Sequence, residues 1–306
     1  IHVNVVGCAL FAAISGSSAA TVATVGKMSI PELRKRNYPE KLLLGSLAGS
    51  GTLGLLIPPS IILIIYGVTV QESIAKLFIA GIIPGIMIAI FFMLYVIGWS
   101  ILNKNIMPKV EETFSLSQKI KQSGQLIPVI VLIASVIGSI YVGIATATEA
   151  AALGVVGALI LSFFQKSLNK ETFKLSLLGA TKTSCMIAFI LAGSAFLSLA
   201  MGFTGLPRNL AIWINEMSLS PYVLILVLTL FYIILGMFLD GISAVVLTMA
   251  IIEPMIRQAG FDMIWFGIFL VIVVEMAQIT PPVGFNLFVL QGMAGKDMGF
   301  IARSAF

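Results

Sequence analysis

The sequence predicts an all-α polytopic membrane protein containing two inverted repeats, each with a re-entrant helical hairpin and a broken helix. Three observations carry this prediction. First, 59% of the 306 residues are hydrophobic and only 10% are charged, with a mean hydropathy of +1.08. Soluble domains average about 45–50% apolar and about 25% charged residues. Second, apolar runs of membrane-spanning length recur along the chain, which one short signal segment does not explain. Third, glycine, serine and proline interrupt four of these runs at offsets that recur in both halves.

Taken in order, residues 3–25 are apolar but broken at Ile14-Ser15-Gly16-Ser17-Ser18, which reads as two arms and a polar tip. Residues 42–66 are long enough to span but contain Gly49, Gly51, Gly54 and Pro58-Pro59, and so read as a broken helix. Residues 77–102, 126–148 and 183–207 are further long runs, and 150–164 is a shorter one after Glu149, which reads as a turn residue. Residues 217–239 lead to Asp240, and the run beyond it lasts only to Ile252. At about 1.5 Å per residue that arm is about 18 Å long, too short for a bilayer core of about 30 Å. It therefore reads as half of a second hairpin. Residues 263–295 cross, yet hold Glu275 and a break at Thr280-Pro281-Pro282.

The two copies share an order: apolar arm, small tip, short arm with a proline, loop, then a helix broken at a proline pair. Counted from the tip glycine, Gly16 in one copy and Gly241 in the other, the arm proline and the proline pair fall at closely similar offsets: Pro31 and Pro58 in the first, Pro254 and Pro281 in the second. Basic residues supply the orientation. With the loop at 29–38 placed in the cytoplasm, all of the 18 Lys and Arg fall inside except Lys76, Arg208 and Arg257. This is the asymmetry of the positive-inside rule. The hairpins then open to opposite sides, so the copies are inverted. Repeat 1 is expected over 1–102, a cytoplasmic linker over 103–124, scaffold helices over 125–210 and repeat 2 over 217–306. A chain that begins at Ile1 and ends within a patterned segment reads as the middle of a longer protein.

Non-helical backbone at membrane depth is tolerated where it is buried in protein or lines a cavity. Inverted repeats with interrupted helices mark secondary transporters, and their interruptions bind the ions and substrate. Hard cations prefer oxygen ligands, many of them backbone carbonyls freed by proline or glycine. The candidate cation ligands are Ser15, Gly16, Ser17, Ser18, Gly51, Thr52, Ile57 and Pro58 in the first copy. In the second they are Asp240, Gly241, Ser243, Thr280 and Pro281. Ser17, Ser18, Ser60 and Asn286 are candidates for an anionic substrate. Two copies predict two or more sodium ions flanking one anion. The plainer reading of each feature is packing by small residues, and for Asp240 a carboxylate that caps hairpin amides.

Several classes are excluded. His2 is the single histidine, and Cys8 and Cys185 lie in apolar runs, so neither a zinc site nor a disulfide framework is available. Asp240-Gly241 lacks the second intramembrane aspartate of an aspartyl hydrolase, and the tip serines lack a histidine base. No stretch matches the phosphate-cradling Gly-x-x-x-x-Gly-Lys-Ser/Thr loop.

The segments Ile14-Ser15-Gly16-Ser17-Ser18-Ala19-Ala20-Thr21, Leu55-Leu56-Ile57-Pro58-Pro59-Ser60, Thr148-Glu149-Ala150-Ala151-Ala152 and Ile279-Thr280-Pro281-Pro282-Val283-Gly284 occur in this order. Together they resemble the large membrane subunit of TRAP transporters, the tripartite ATP-independent periplasmic systems. The resemblance covers the chain and departs only at the termini, where the family's first helices and last helix are missing. It implies an elevator-type ion-transporter-like fold in a multi-pass protein of the bacterial inner membrane. It also implies sodium-driven uptake of a small organic acid of the sialic acid or C4-dicarboxylate class. The implied partners are a small four-helix membrane subunit, a periplasmic substrate-binding protein and the lipid bilayer. No organic cofactor and no nucleic acid is expected. The alternatives are a symporter-like sodium/dicarboxylate carrier that works without a binding protein, and an ion channel, which equilibrates solute without accumulating it.

Overall fold

The computed structural model describes residues 1–108, 124–205, 209, 212 and 220–305, and among these every regular element is helical. Most of the expected linker, with Lys109, Lys119 and Lys121, lies outside the described residues, as do Pro207, Arg208 and Met217. The chain divides into two units, Ile1–Pro108 with Gly193–Phe306, and Lys109–Ala192.

The first unit opens with α1 (His2–Ser15) and α2 (Ser18–Lys35), packed against each other across a tip of Gly16 and Ser17. Gly16 ends α1 in the left-handed region (φ 60°), which glycine adopts without steric cost, and its N–H returns to Ala12 O at 3.0 Å. Ser17 is extended and starts α2 by accepting from Ala20 N at 3.4 Å. Then follow α3 (Glu40–Gly51), α4 (Leu53–Leu56) and α5 (Ile61–Thr69), with the chain bent by 41° at the break before α5. Ser60 restarts the helix by accepting from Leu63 N at 3.4 Å and donates its own proton to Leu55 O. Next comes α6 (Ile74–Leu102), 29 residues long and so about 44 Å.

The second unit holds α7 (Ile127–Tyr141), α8 (Ala147–Phe164) and the first part of α9 (Lys170–Thr204). α7 packs on α8. It is shorter than the apolar run at 126–148, because the backbone turns out of the helix at Gly143 (φ 76°). Glu149 sits in the first turn of α8. Its carboxylate accepts from Thr146 N at 2.8 Å while Thr146 Oγ1 accepts from Glu149 N at 3.3 Å, a capping box that gives this glutamate a structural job. Large apolar side chains such as Val155 (62% exposed) and Phe189 (82%) face outward, as lipid contact requires.

The end of α9 belongs to the first unit, where Ser194 Oγ donates to Val246 O at 2.7 Å. That unit continues with α10 (Pro221–Gly236), α11 (Gly241–Gln258), α12 (Met263–Gln278), α13 (Phe285–Ala294) and α14 (Met298–Ala305). α11 does not stop at Ile252. It runs on through Pro254 for 18 residues in all, because Glu253 is paired with Arg257 one turn on, at 2.9 Å, and the helix can carry both charges. Among the described residues four helices are long and apolar enough to cross a membrane, and five if α3–α5 counts as one bent span.

The structure also corrects the register of the repeat. The matching residues are the N-caps Ser17 and Asp240, not the two glycines. Counted from these caps, the hairpin prolines stand at the same offset in both copies (31 − 17 equals 254 − 240), and so do the proline pairs (58 − 17 equals 281 − 240). Both second arms, α2 and α11, have 18 residues. Pro58-Pro59 and Pro281-Pro282 are both cis. Between the copies, Tyr66 of α5 is fully buried and donates to Met263 O at 2.7 Å.

Candidate functional site

Each interruption leaves backbone groups without a partner in their own helix, and the first unit brings all four interruptions together. The first tip meets the first break directly. Ile61 N, at the start of α5, donates to Gly16 O at 3.2 Å. The same tip lies on α4, where a β-carbon on Gly54 would fall 2.6 Å from Ser17 O. It also reaches the other repeat, since Ser18 Oγ donates to Gln278 Oε1 at 2.9 Å in a buried bond at the end of α12. The second tip meets its own break through Gly284 N, which donates to Met237 O at 3.3 Å. Beside it, a β-carbon on Gly241 would lie 2.8 Å from Gln278 Nε2 and 3.2 Å from Ile62 Cδ1. Gln278 therefore touches both tips.

The hydroxyls at these breaks spend their protons locally and keep lone pairs free. Ser15 Oγ lies 2.9 Å from Thr21 Oγ1, which donates to Ser17 O at 2.8 Å. Thr52 Oγ1 donates to Gly49 O at 2.6 Å, and Thr280 Oγ1 to Met276 O at 2.7 Å. A hydroxyl that donates in this way can still accept, or coordinate a cation through oxygen. Asp240 is engaged as a cap: its carboxylate accepts from Ile242 N at 3.0 Å, Ser243 N at 3.2 Å and Ser243 Oγ at 2.5 Å. Ser18, Gly51, Thr52, Pro58, Ser60, Gly241 and Asn286 are buried; Ser15, Ser17, Ile57, Asp240, Ser243 and Thr280 are half-buried. Gly16 is buried beneath Ile61. Pro281 is exposed, unlike its counterpart Pro58.

Two buried groups around the second break have no hydrogen-bond partner among the described residues. Asn286 is 0% exposed with both amide atoms unsatisfied, and Glu275 is 4% exposed with both carboxylate oxygens unsatisfied. The Ser18 hydroxyl is close enough to Glu275 to act on it but gives its proton to Gln278. Such groups cost about 1–3 kcal/mol or more when left unpaired, so an added ligand or water gains by meeting them. No cluster of three His, Cys, Asp or Glu side chains gathers among the described residues. The available donors are carbonyl, hydroxyl, amide and single carboxylate oxygens, a set that suits a hard cation better than zinc or a soft metal.

Sequence reasoning omitted Gln278 and left Glu275 without a role. The two lie one helical turn apart in an otherwise apolar helix, and hence on one face. That spacing was the available signal.

The family model for the DctM component of the tripartite ATP-independent periplasmic transporter matches residues 2–304. The chain is similar to a C4-dicarboxylate TRAP transporter large permease protein DctM of Pseudomonas aeruginosa, with 34% identity over 304 residues, 98% of this chain and 70% of that protein. It is 33% identical to the isethionate TRAP transporter permease protein DctMQ of Oleidesulfovibrio alaskensis, over 97% of this chain and 46% of that one. It is 31% identical to the 2,3-diketo-L-gulonate TRAP transporter large permease protein YiaN of Escherichia coli, over 100% of this chain and 71% of that one. These relatives are transporter permeases and not enzymes. An all-helical chain with several helices of membrane-crossing length, matched almost from end to end by this model, belongs to the DctM component family of tripartite ATP-independent periplasmic transporters.

Proposed function

We propose that this chain carries a small carboxylate across the bacterial inner membrane, with sodium moving down its gradient as the coupled ion. The observation that carries the reading is the meeting of both hairpin tips with both breaks, joined by the buried Ser18–Gln278 bond. Backbone and hydroxyl oxygens of Ser15, Gly16, Ser17, Ser18, Gly51, Thr52, Ile57 and Pro58 would hold one sodium ion. Those of Asp240, Gly241, Ser243, Thr280 and Pro281 would hold another. Ser17, Ser18, Ser60 and Asn286 would face the substrate carboxylate between them. The relatives named above carry dicarboxylates, an organic sulfonate or a sugar-derived keto acid by their names, which favours a small acid of the C4-dicarboxylate class. A periplasmic binding protein would deliver it, and a small four-helix membrane subunit would accompany the chain, as the fused DctMQ relative suggests. The hairpins and breaks would travel as one body in an elevator movement, since the hydrogen bonds between them must persist for ion and substrate to move together.

Each net positive charge moved inward gains about 2.3 kcal/mol per 100 mV, so sodium in excess of substrate charge would drive accumulation. The test uses proteoliposomes holding the full-length protein and its small subunit, with binding protein outside. Accumulation of substrate is expected with an inward sodium gradient and without ATP. Accumulation that persists at equal sodium on both sides and with no membrane potential imposed overturns the coupling.

A further inference from the structure

The repeat carries a second match, at the ends of the hairpins away from the interruptions. Arg34 and Arg257 stand at the same offset from the N-cap of their arm (34 − 17 equals 257 − 240), just under one turn beyond the hairpin proline. Neither touches the interruptions. Arg34 Nη2 donates to Ala294 O at 2.7 Å, while Nε and Nη2 grip Glu40 at 2.6 and 3.1 Å. Ala294 is the last residue of α13, the second half of the broken helix in repeat 2. Arg257 Nη2 donates to Val70 O at 3.1 Å, Nε binds Glu253 at 2.9 Å, and Glu72 lies 3.7 Å from Nη2. Val70 is the C-cap of α5, the second half of the broken helix in repeat 1. The hairpin of each repeat thus holds the carboxyl end of the other repeat's broken helix. The carboxylates come from different places in the two copies; the carbonyl contact is the shared part.

The last carbonyls of a helix have no donor in the helix and carry its negative dipole end, so a cation there is favourable. A guanidinium can serve a carbonyl and a carboxylate at once through its planar fork, and an ammonium does so less well. α2 packs along α13, and α11 along α5. In each pair both helices start at the interruptions and end at the arginine. Fixing the carboxyl end of such a half-helix, α5 or α13, fixes the axial position of its amino end, about 14–15 Å away. Ser60 caps that end in α5, and Asn286 lies in the first turn of α13.

We propose that Arg34 and Arg257 are a matched pair of positioning residues, each clamping the opposite repeat's half-helix to its own hairpin so that the interruptions stay in register for binding. This rests on reading the interruptions as the binding site. Hydrogen exchange followed by mass spectrometry on the full-length protein with its small subunit, in nanodiscs, tests the clamp without reference to transport. Arg34→Gln is expected to raise exchange in α13 and not in α5, and Arg257→Gln to raise it in α5 and not in α13. In proteoliposomes each Gln variant should raise the half-saturating sodium concentration about three- to tenfold with little change in maximal rate, and Lys should restore part of the loss. Should a Gln variant fail to assemble, the Lys variant carries the same expectation at smaller size. Exchange that rises evenly over the first unit, or only within the variant's own repeat, overturns the clamp. Localised exchange with unchanged half-saturation overturns the positioning role. Transport that ignores sodium in the unaltered protein overturns the proposed coupling instead; the exchange result still decides the clamp, and half-saturation by substrate then decides the positioning.

Discussion

Gly54 has no room for a β-carbon. One built there would lie 2.6 Å from Ser17 O and 2.7 Å from Ser17 C and Ser18 Cα, all backbone atoms of the first tip. A flexible side chain could swing aside, but a helix N-terminus must move as a unit. Gly54→Ala should therefore push the tip off α4 at a cost of about 1–3 kcal/mol. Gly98 in α6 meets nothing within 4 Å, so Gly98→Ala should be neutral or slightly stabilising. Thermal unfolding of the two purified variants is the measurement, and a Gly54→Ala protein that melts with the parent removes the claim that this approach is tight. At this scale the sequence was only partly legible. Tip serines and break prolines stand out in an apolar run because their chemistry is local. The close approach of Gly54 to Ser17 joins two separate helical segments, and Gln278 gains its meaning from Ser18, which lies near the other end of the chain. Neither partner can be read from its own neighbourhood.

Among the elements, the two hairpins are built alike but start differently, with Ser17 as one N-cap and Asp240 as the other. Asp240 satisfies two orphan amides and a hydroxyl, so its capping role stands whether or not it binds a cation. Substitution separates the two. Asn caps about as well as Asp, and Ala does not, at a cost of about 1 kcal/mol. Asp240→Asn is expected to melt close to the parent while its half-saturating sodium concentration rises severalfold. Asp240→Ala should lower the melting temperature as well. If Asp240→Asn keeps the parent's sodium dependence, the residue belongs to the cap alone. Element boundaries were the weaker part of the sequence reading, for physical reasons. Proline and charge at Glu253-Pro254 look like a helix end, yet the Glu253–Arg257 pair lets α11 continue. Gly143 ends α7 inside a run whose hydropathy gives no such warning.

At the scale of the whole molecule, the equal offsets from each N-cap to its hairpin proline and to its proline pair place two copies of one design in the same packed unit. Their contacts cross between copies: Ser18 to Gln278, Tyr66 to Met263, Arg34 to Ala294 and Arg257 to Val70. A first hairpin that opened alone as a gate would have to break two of these in every cycle, and a second hairpin one. Charged hydrogen bonds such as those of the two arginines contribute about 1.5–3 kcal/mol each when well made, so the proposed movement of the block as a body would avoid a cost that a hairpin opening alone would meet. A tether between copies tests this. Gly26 on α2 faces Met293 on α13, with the sulfur of Met293 3.6 Å from where a β-carbon on Gly26 would stand. Gly26→Cys combined with Met293→Cys, joined by a short bifunctional thiol reagent with a reducible link, fixes the first hairpin to the second repeat away from the interruptions. Uptake into proteoliposomes should survive complete crosslinking at about half the uncrosslinked rate or better, because bodies that move together lose nothing when tied. Gating by the first hairpin requires α2 to separate from α13, and the same tether would stop it until the thiols are released. Arrest on crosslinking with recovery on reduction would therefore replace the moving block with a moving hairpin.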